Sequence, residues 1–254
     1  MVASKDQKSR LKKLYIGTMG WSYDFWVGQL YPKDLKPGSF LEEYAKHFNT
    51  VEVDGTFYRI PSVATVNNWR ENTPDGFLFS AKFPRIITHI KMLRDCEKET
   101  TTFISRISEL RNKLGPLLLQ FPRSFGIKNL AALETFLSKL PKNYRYAVEV
   151  RNRTWEGKLT PLLTDYGVAQ AITDQPLPQT DSGFVYCRWE GDRSKVNGTI
   201  GKVEVERTAE IERISVQVRN LLSQGTDFFG YFSKYFSGYP PRDAQQLLNL
   251  LNRK

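Results

Sequence analysis

Histidine is scarce in this sequence, with only His47 and His89 among 254 residues. A zinc cluster built on several histidines is therefore excluded. Cysteine is equally scarce: Cys96 and Cys187 are the only two. So few cysteines fit a reduced cytoplasmic protein in which both pack in the interior, rather than a disulfide framework.

Long apolar runs are also missing. No stretch approaches the roughly 18 apolar residues of a membrane span, and the polar residues 1–12 lack the apolar core of a signal peptide. We therefore expect a cytoplasmic protein with no membrane partner, in which 1–12 form a flexible polar leader and 13–254 one domain. The sequence also lacks the nucleotide-binding motifs, which are Gly-x-Gly-x-x-Gly and the Walker loop. It lacks the Gly-x-Ser-x-Gly motif of a nucleophilic serine as well.

Eight short apolar runs are present, and most end in a charged or polar residue. They are LYIGT (14–18), NTVEVDGTF (49–57), FLFSAKF (77–83), PLLLQF (116–121), RYAVEV (145–150), VAQAITD (168–174), FVYCRWEG (184–191) and DFFGYFS (227–233). Most of the seven intervals are long enough for a helix. This pattern predicts an α/β fold, a single (β/α)8 TIM barrel that is irregular after strands one and six, with its active site at the C-terminal strand ends.

Helical periodicity and end signals place the helices between these strands. The first is expected to start at a capping box formed by Ser39 and Glu42, and Gly115-Pro116 is expected to end the longest. No helix is predicted between strands six and seven. The expected ranges are 63–72, 96–113, 129–140, a short helix at 160–166, 205–223 and 242–251.

Because side chains alternate across a strand, the inward face of the barrel can be predicted. Cys187 falls on the outward face. Strand eight is ambiguous between an inward Phe229/Tyr231/Ser233 and an inward Phe228/Gly230/Phe232 register. The predicted ring of polar side chains at the barrel mouth comprises Asp54, Lys82, Gln120, Glu149, Arg151, Asp174 and Arg188.

So many buried charges are costly unless they pair with one another or serve a ligand. The ring is therefore either an ion-pair network that fills the mouth or a functional site. For the second reading we assign Glu149, Lys82 and Asp54 as catalytic, with Glu149 the general base or acid. A Schiff-base role for Lys82 is a weaker alternative. No cofactor is expected, although Asp54, Glu149 and Asp174 leave a carboxylate site for Mg²⁺ or Mn²⁺ open.

Aromatic and cationic residues surround this ring. The loop after strand one holds Trp21, Tyr23, Phe25 and Trp26, which either stack on a planar ligand or cap the barrel as core. The positions expected to bind substrate are Trp21, Tyr23, Trp26, Tyr58, Arg59, Arg85, His89, Gln120, Arg151, Trp155, Asp174 and Arg188. A net charge of +10 favours an anionic partner, although many of the lysines are expected at the termini or on helix surfaces, where they add solubility.

Several segments carry a resemblance to a known family. IGTMGWSYDFWVGQLYP, YAKHFNTVEVDGTFYRIPSVATVNNW, FLFSAKFPRIITH, LLLQFP and YAVEVRNRTW are similar to the motifs of the YecE-like family, also called domain of unknown function 72. The resemblance covers about 15–240 in the family's motif order. It implies a TIM barrel but brings no substrate. Signature positions matched are Trp21, Tyr23, Trp26, Tyr58, Arg59, Lys82, Pro84, Arg85, His89, Gln120, Glu149, Arg151 and Trp155.

The chain also departs from the family pattern at four places. Asp54 stands where the family commonly has Asn, and Asn152 follows Arg151 where the family has His. Glu190 replaces a His after strand seven, and Ser233-Lys234 replaces Asn-Asn after strand eight. These departures put in doubt any mechanism that needs those histidine or asparagine groups.

Three functions remain, the weakest of which is a structural barrel with a vestigial site. The leading hypothesis is an enzyme, such as a hydrolase or lyase, that acts on a phosphorylated or otherwise anionic ligand, including a nucleic-acid component. Lys82 and Arg151 would hold the anion, and the aromatic loop would close over it. The rival is a non-catalytic module that binds nucleic acid or another anion through its basic surface, with an affinity that falls steeply with salt. The oligomeric state stays open.

Overall fold

The computed structural model describes residues 13–174 and 183–253. Eight strands lie within these ranges: β1 (Leu14–Thr18), β2 (Thr50–Val53), β3 (Leu78–Lys82), β4 (Leu114–Gln120), β5 (Tyr146–Glu149), β6 (Ala169–Thr173), β7 (Phe184–Trp189) and β8 (Asp227–Phe232). The expected flexible leader, 1–12, and most of the β6–β7 connection lie outside the described residues.

All eight strands pair in parallel, in the order β1-β8-β7-β6-β5-β4-β3-β2. The two ends of this sheet meet at one bridge between Met19 and Glu52, where the Gly20 N–H donates to the Glu52 carbonyl at 2.8 Å. The sheet thus closes on itself as a barrel. The predicted fold class is confirmed.

Helices follow most of the strands, as expected of a (β/α)8 barrel. They are α1 (Phe40–His47), α2 (Gly55–Tyr58), α3 (Val63–Glu71), α4 (Glu97–Ile107), α5 (Leu130–Lys139), α6 (Leu159–Asp165), α7 (Thr208–Ser223), α8 (Lys234–Ser237) and α9 (Pro240–Asn252). A π-helix covers Ile86–Ile90, and 3₁₀ turns at Asp24–Trp26 and Pro37–Ser39 precede α1. In the described chain, no helix has the length and apolar character needed to span a membrane.

Three local predictions are wrong. The second apolar run does not continue as a strand to Phe57, because the chain leaves the sheet after Val53 and turns into α2. Ser39 stands at the start of α1, but its side chain makes no capping hydrogen bond there, because a 3₁₀ turn runs directly into the helix. Gly115 and Pro116 do not end a helix but lie inside β4; α4 ends at Ile107 and continues as a 3₁₀ segment to Lys113.

Alternation along the strands divides the interior into two apolar layers. Outward side chains such as Val51, Phe79 and Cys187 pack against the helices, which agrees with the predicted position of Cys187. A separate inward cluster fills the barrel and includes Tyr186, Phe229 and Tyr231. The inward register of β8 is therefore Phe229/Tyr231/Ser233. This core supports the polar groups at the C-terminal strand ends.

Candidate functional site

A cavity of about 420 Å³ opens at the C-terminal ends of the strands, where TIM barrels place their active sites. Its walls combine aromatic rings with charged groups, among which six cations outnumber two carboxylates. The lining residues are Met19, Tyr23, Asp54, Phe57, Tyr58, Lys82, Arg85, His89, Gln120, Arg151, Arg188, Glu190, Arg193, Ser233, Lys234 and Tyr235.

Arg188 forms the centre of an ion-pair network beneath this cavity. Its guanidinium binds Glu52 through Nε and Nη2, at 3.0 Å to each oxygen. Its Nη1 donates to Glu149 Oε2 at 2.5 Å and to Glu190 Oε1 at 2.6 Å. Three carboxylates thus surround one cation that is only 2 % exposed, and they use its planar set of donors almost completely.

Glu149 is held in this network at both of its oxygens. Oε1 accepts from Arg151 Nε at 2.9 Å and from Gln120 Nε2 at 3.1 Å, while Oε2 accepts from Arg188. Burial opposes ionisation, but Arg188 and Arg151 outweigh it and lower the pKa of Glu149 to about 2. A carboxylate so fully engaged is a poor general acid or base, which argues against the role that the sequence predicted. Glu149 instead fixes the arginines.

Lys82 lies in the same mouth but has very different surroundings. Its ammonium is 3.7 Å from Asp54 Oδ1 and 4.3 Å from the centre of the Phe57 ring. It makes no hydrogen bond to any residue within the described ranges, although its side chain is only 11 % exposed. Burial lowers the pKa of Lys82, against the opposing effect of Asp54. Lys82 therefore presents three unused N–H donors to the cavity.

Asp54 completes this arrangement at the start of α2. Its Oδ1 is buried and has no hydrogen-bond partner within the described ranges, and it forms an ion pair with Lys82 at 3.7 Å. A buried acceptor without a partner is unusual in a folded protein. Asp54 thus keeps an unused hydrogen-bond acceptor beside the unused donors of Lys82.

His89 reaches the cavity from the π-helix, a rare form that often marks functional sites. Its Nδ1 pairs with Thr88 Oγ1 at 2.9 Å, and its ring meets Phe57 edge to face at 4.9 Å. Burial, followed by the charges of Lys82, Arg151 and Arg85, lowers the pKa of His89 to about 4. His89 is consequently neutral near pH 7.

The aromatic loop divides between core and cavity. Trp26 is fully buried and packs on Tyr31 at 5.9 Å. Trp21 lies on the outside of the sheet, where it meets Trp69 edge to face at 5.7 Å. Of the four aromatic residues of this loop, Tyr23 lines the cavity, and its hydroxyl donates to the Met19 carbonyl at 2.9 Å. Trp21 and Trp26, which were predicted to bind a ligand, do not line the cavity: Trp26 is buried and Trp21 is partly buried against the outer core.

Three other predicted site residues also lie away from the cavity. Trp155 is buried, and its Nε1 donates to the Phe125 carbonyl at 2.8 Å. Arg59 is exposed but does not line the cavity wall. Asp174 does not point into the barrel: the inward residues of β6 are Ala169 and Ala171. Asp174 follows the strand with φ +49 and accepts from the Gly191 N–H at 3.1 Å.

A carboxylate metal site does not form from the three residues considered above. Glu149 binds two arginines and Asp174 turns towards Gly191, so neither joins Asp54. Across residues 13–174 and 183–253, no three His, Cys, Asp or Glu side chains are grouped to hold a metal ion.

Some residues of the cavity, or of the ion-pair network beneath it, were not among the predicted site residues. Glu52 lies on the inward face of β2, and Glu190 continues the inward face of β7. Strand alternation therefore indicated that both side chains face the barrel interior. Ser233 and Lys234 follow β8, where the C-terminal strand end was itself a signal. Arg193 lies in an irregular loop without periodicity, and nothing in the sequence pattern points to it.

Comparison with known proteins identifies the family. A family profile described as "Protein of unknown function DUF72" matches residues 15–254. The chain belongs to this family. The resemblance predicted from its motifs is thereby confirmed.

Two curated DUF72 relatives come from Escherichia coli. The UPF0759 protein YecE of strain K12 is 43% identical over 55% of this chain and 48% of its own length. The YecE protein of O157:H7 is 40% identical over 63% of this chain and 59% of its own length. The match thus spans about half to three fifths of these relatives.

A solved DUF72 structure shares the fold. The Thermotoga maritima protein superimposes with a TM-score of 0.81 at 26% identity, covering 95% of this chain and 100% of that one. A DUF72 protein of Enterococcus faecalis has a TM-score of 0.75 at 22% identity, covering 95% and 96%. These likenesses support the barrel and leave the activity open.

Proposed function

We propose that this DUF72 protein is an enzyme that acts on an anionic ligand of the phosphate-ester class, bound in the barrel mouth. The observation that carries the proposal is the buried ammonium of Lys82. A buried cation is costly unless its donors are satisfied, and Lys82 has one carboxylate oxygen at 3.7 Å and no hydrogen bond within the described chain. A phosphate oxygen would supply the missing acceptors.

The charge around Lys82 supports an anion rather than a cation as the ligand. Arg85 is an exposed cation that lines the cavity beside Lys82, and it forms no ion pair with a residue of the described ranges. The carboxylates Glu149 and Glu190, in contrast, are already paired with arginines. The potential that remains for a ligand is therefore positive.

Asp54 is the group best placed for proton transfer. Its buried Oδ1 has no hydrogen-bond partner in the described chain, whereas both oxygens of Glu149 are engaged. We therefore assign Asp54 as general base or acid and Lys82 as the anion-binding group. Tyr58, which is 75% exposed at the rim, supplies a ring on which a planar part of the ligand can stack.

Calorimetric titration with methyl phosphate, combined with a screen of phosphate esters for turnover, tests this function. We expect Lys82→Met to weaken binding at least about tenfold, which corresponds to about 1.4 kcal/mol. Asp54→Asn should keep binding and lose turnover. The matched control is Lys98→Met, because Lys98 is an exposed cation on α4 that does not line the cavity, so this variant should bind as the wild type does.

Equal loss of affinity in Lys82→Met and Lys98→Met would mean that only the overall charge matters. Binding of nucleic acid that falls steeply with salt and persists in Lys82→Met would favour the non-catalytic binding module instead.

A further inference from the structure

Two cations on the β7–β8 side of the cavity have no acidic partner among the residues that the structure describes. Lys234 follows β8 and Arg193 lies in the loop after β7, and both line the cavity. Neither forms an ion pair or a hydrogen bond through its side chain with a residue of the described ranges. They differ in this respect from Arg188 and Arg151, whose guanidinium groups are bound to carboxylates.

Aromatic rings hold these two cations in place. Arg193 lies over the Tyr235 ring at 4.6 Å from its centre. The Lys234 ammonium is 5.2 Å from Tyr235, 5.8 Å from Tyr23 and 5.9 Å from Phe25. Contact with a ring face attracts a cation but supplies no hydrogen-bond acceptor of the strength of a carboxylate. Their N–H donors therefore remain free for a ligand.

Arg193 lies across the barrel from Lys82, and Lys234, after β8, is separated from β3 by two strands on the shorter side. In the closed order of eight strands, three strands separate β3 from β7 in either direction, so Lys82, at the end of β3, and Arg193, after β7, belong to opposite walls. Glu190, which directly follows β7, also lines the cavity, but its carboxylate is already paired with Arg151 and Arg188. Glu190 is therefore not available to pair with Arg193 or Lys234.

We infer that Lys234 and Arg193 form a second anion subsite, and that the ligand carries two anionic groups, one for Lys82 and one for this pair. The inference rests on the proposed function, because it takes the first group to be the phosphate held by Lys82. The second group is a phosphate or a carboxylate. A ligand with both groups binds more tightly than its halves, because occupation of one subsite raises the effective concentration at the other.

A length series of alkane diphosphonates tests the second subsite, with methylphosphonate as the single-anion reference and constant ionic strength. We expect an optimal chain length at which the diphosphonate binds about tenfold tighter than methylphosphonate, or better. Lys234→Met and Arg193→Gln should remove this gain and leave the affinity for methylphosphonate within about twofold of wild type, since that probe needs only Lys82. Thermal melting verifies that both variants are folded.

Lys195→Met is the matched control. Lys195 lies in the same loop as Arg193 but is 70% exposed, pairs with Asp192 at 3.5 Å and does not line the cavity, so this variant should keep the full gain. If diphosphonates of every length gain nothing while methylphosphonate binds through Lys82, the second subsite is wrong and the proposed function stands. If neither probe binds, both proposals are overturned.

Discussion

At the scale of single residues, Lys82 and Arg188 are two buried cations with opposite surroundings. Arg188 binds three carboxylates and is 2% exposed, so its charge is compensated within the protein. Lys82 has one carboxylate at 3.7 Å and a ring face. A buried cation whose charge is balanced by carboxylates of the protein stabilises the folded state. A buried cation whose charge is only partly balanced lowers the stability of the folded state until a ligand binds to it.

Stability measurements on two matched substitutions separate these roles. Arg188→Met leaves buried carboxylates unpaired and should lower the free energy of unfolding by roughly 3–5 kcal/mol. Lys82→Met removes a cost and places an apolar chain against Phe57, so it should change that free energy by less than about 1 kcal/mol, or raise it. Urea unfolding measures both. A similar large loss in the two variants would mean that Lys82 also belongs to the structural network.

Strand alternation was enough to predict that Lys82, Glu149 and Arg188 face the barrel interior. It did not predict which of them would be paired, because pairing depends on the length and direction of side chains from different strands. The full pairing of Glu149 argues against its predicted general base role for this reason. Asp174 was assigned to the inward face by a register error of one residue, because Ala169 and Ala171 are the inward residues of β6.

At the scale of elements, the loop between β7 and α7 is fixed by close backbone contact with the aromatic loop. Gly201 has φ +65, and a Cβ at this position would collide with the carbonyl oxygen of Phe25. Only glycine allows both the backbone conformation and the contact. The same loop carries Arg193, so this packing helps to set the wall of the second subsite.

Two glycines with the same φ allow this contact to be measured. Gly167 also has φ +65, but an added Cβ there meets no atom within 4 Å. Gly167→Ala should cost about 1 kcal/mol for its left-handed backbone alone. Gly201→Ala should cost an additional 1–3 kcal/mol or so, since the Phe25 carbonyl must move. Equal costs in urea unfolding would show that the two loops do not press on each other.

Elements with strong periodicity were predicted well, including the eight strands and the helices now seen as α3, α5 and α9. The aromatic loop was not resolved by pattern, because tryptophan and tyrosine are equally common in cores and in binding sites. Only the packing shows that Trp26 is interior and that Tyr23 reaches the cavity. The helical turn α2 was also missed, since four residues are too few to establish a period.

At the scale of the whole molecule, the repeated alternation of strands and helices determines the barrel, and the barrel determines where the site lies. The charges that meet there are less evident from composition. A net charge of +10 says that the chain attracts anions but gives no location. The location follows from which cations the fold leaves with unused hydrogen-bond donors, and among the cavity residues these include Lys82 at the end of β3 and Lys234 after β8.

Binding of an anion by Lys82 in the barrel mouth can be observed in a crystal soaked in tungstate. Tungstate mimics phosphate and is located by its anomalous scattering. We expect an anomalous peak in the mouth, with tungstate oxygens within hydrogen-bonding distance of Lys82 Nζ, and we expect this peak to disappear in Lys82→Met crystals. An empty mouth in wild-type crystals, or a peak that persists unchanged in Lys82→Met, would contradict anion binding by Lys82.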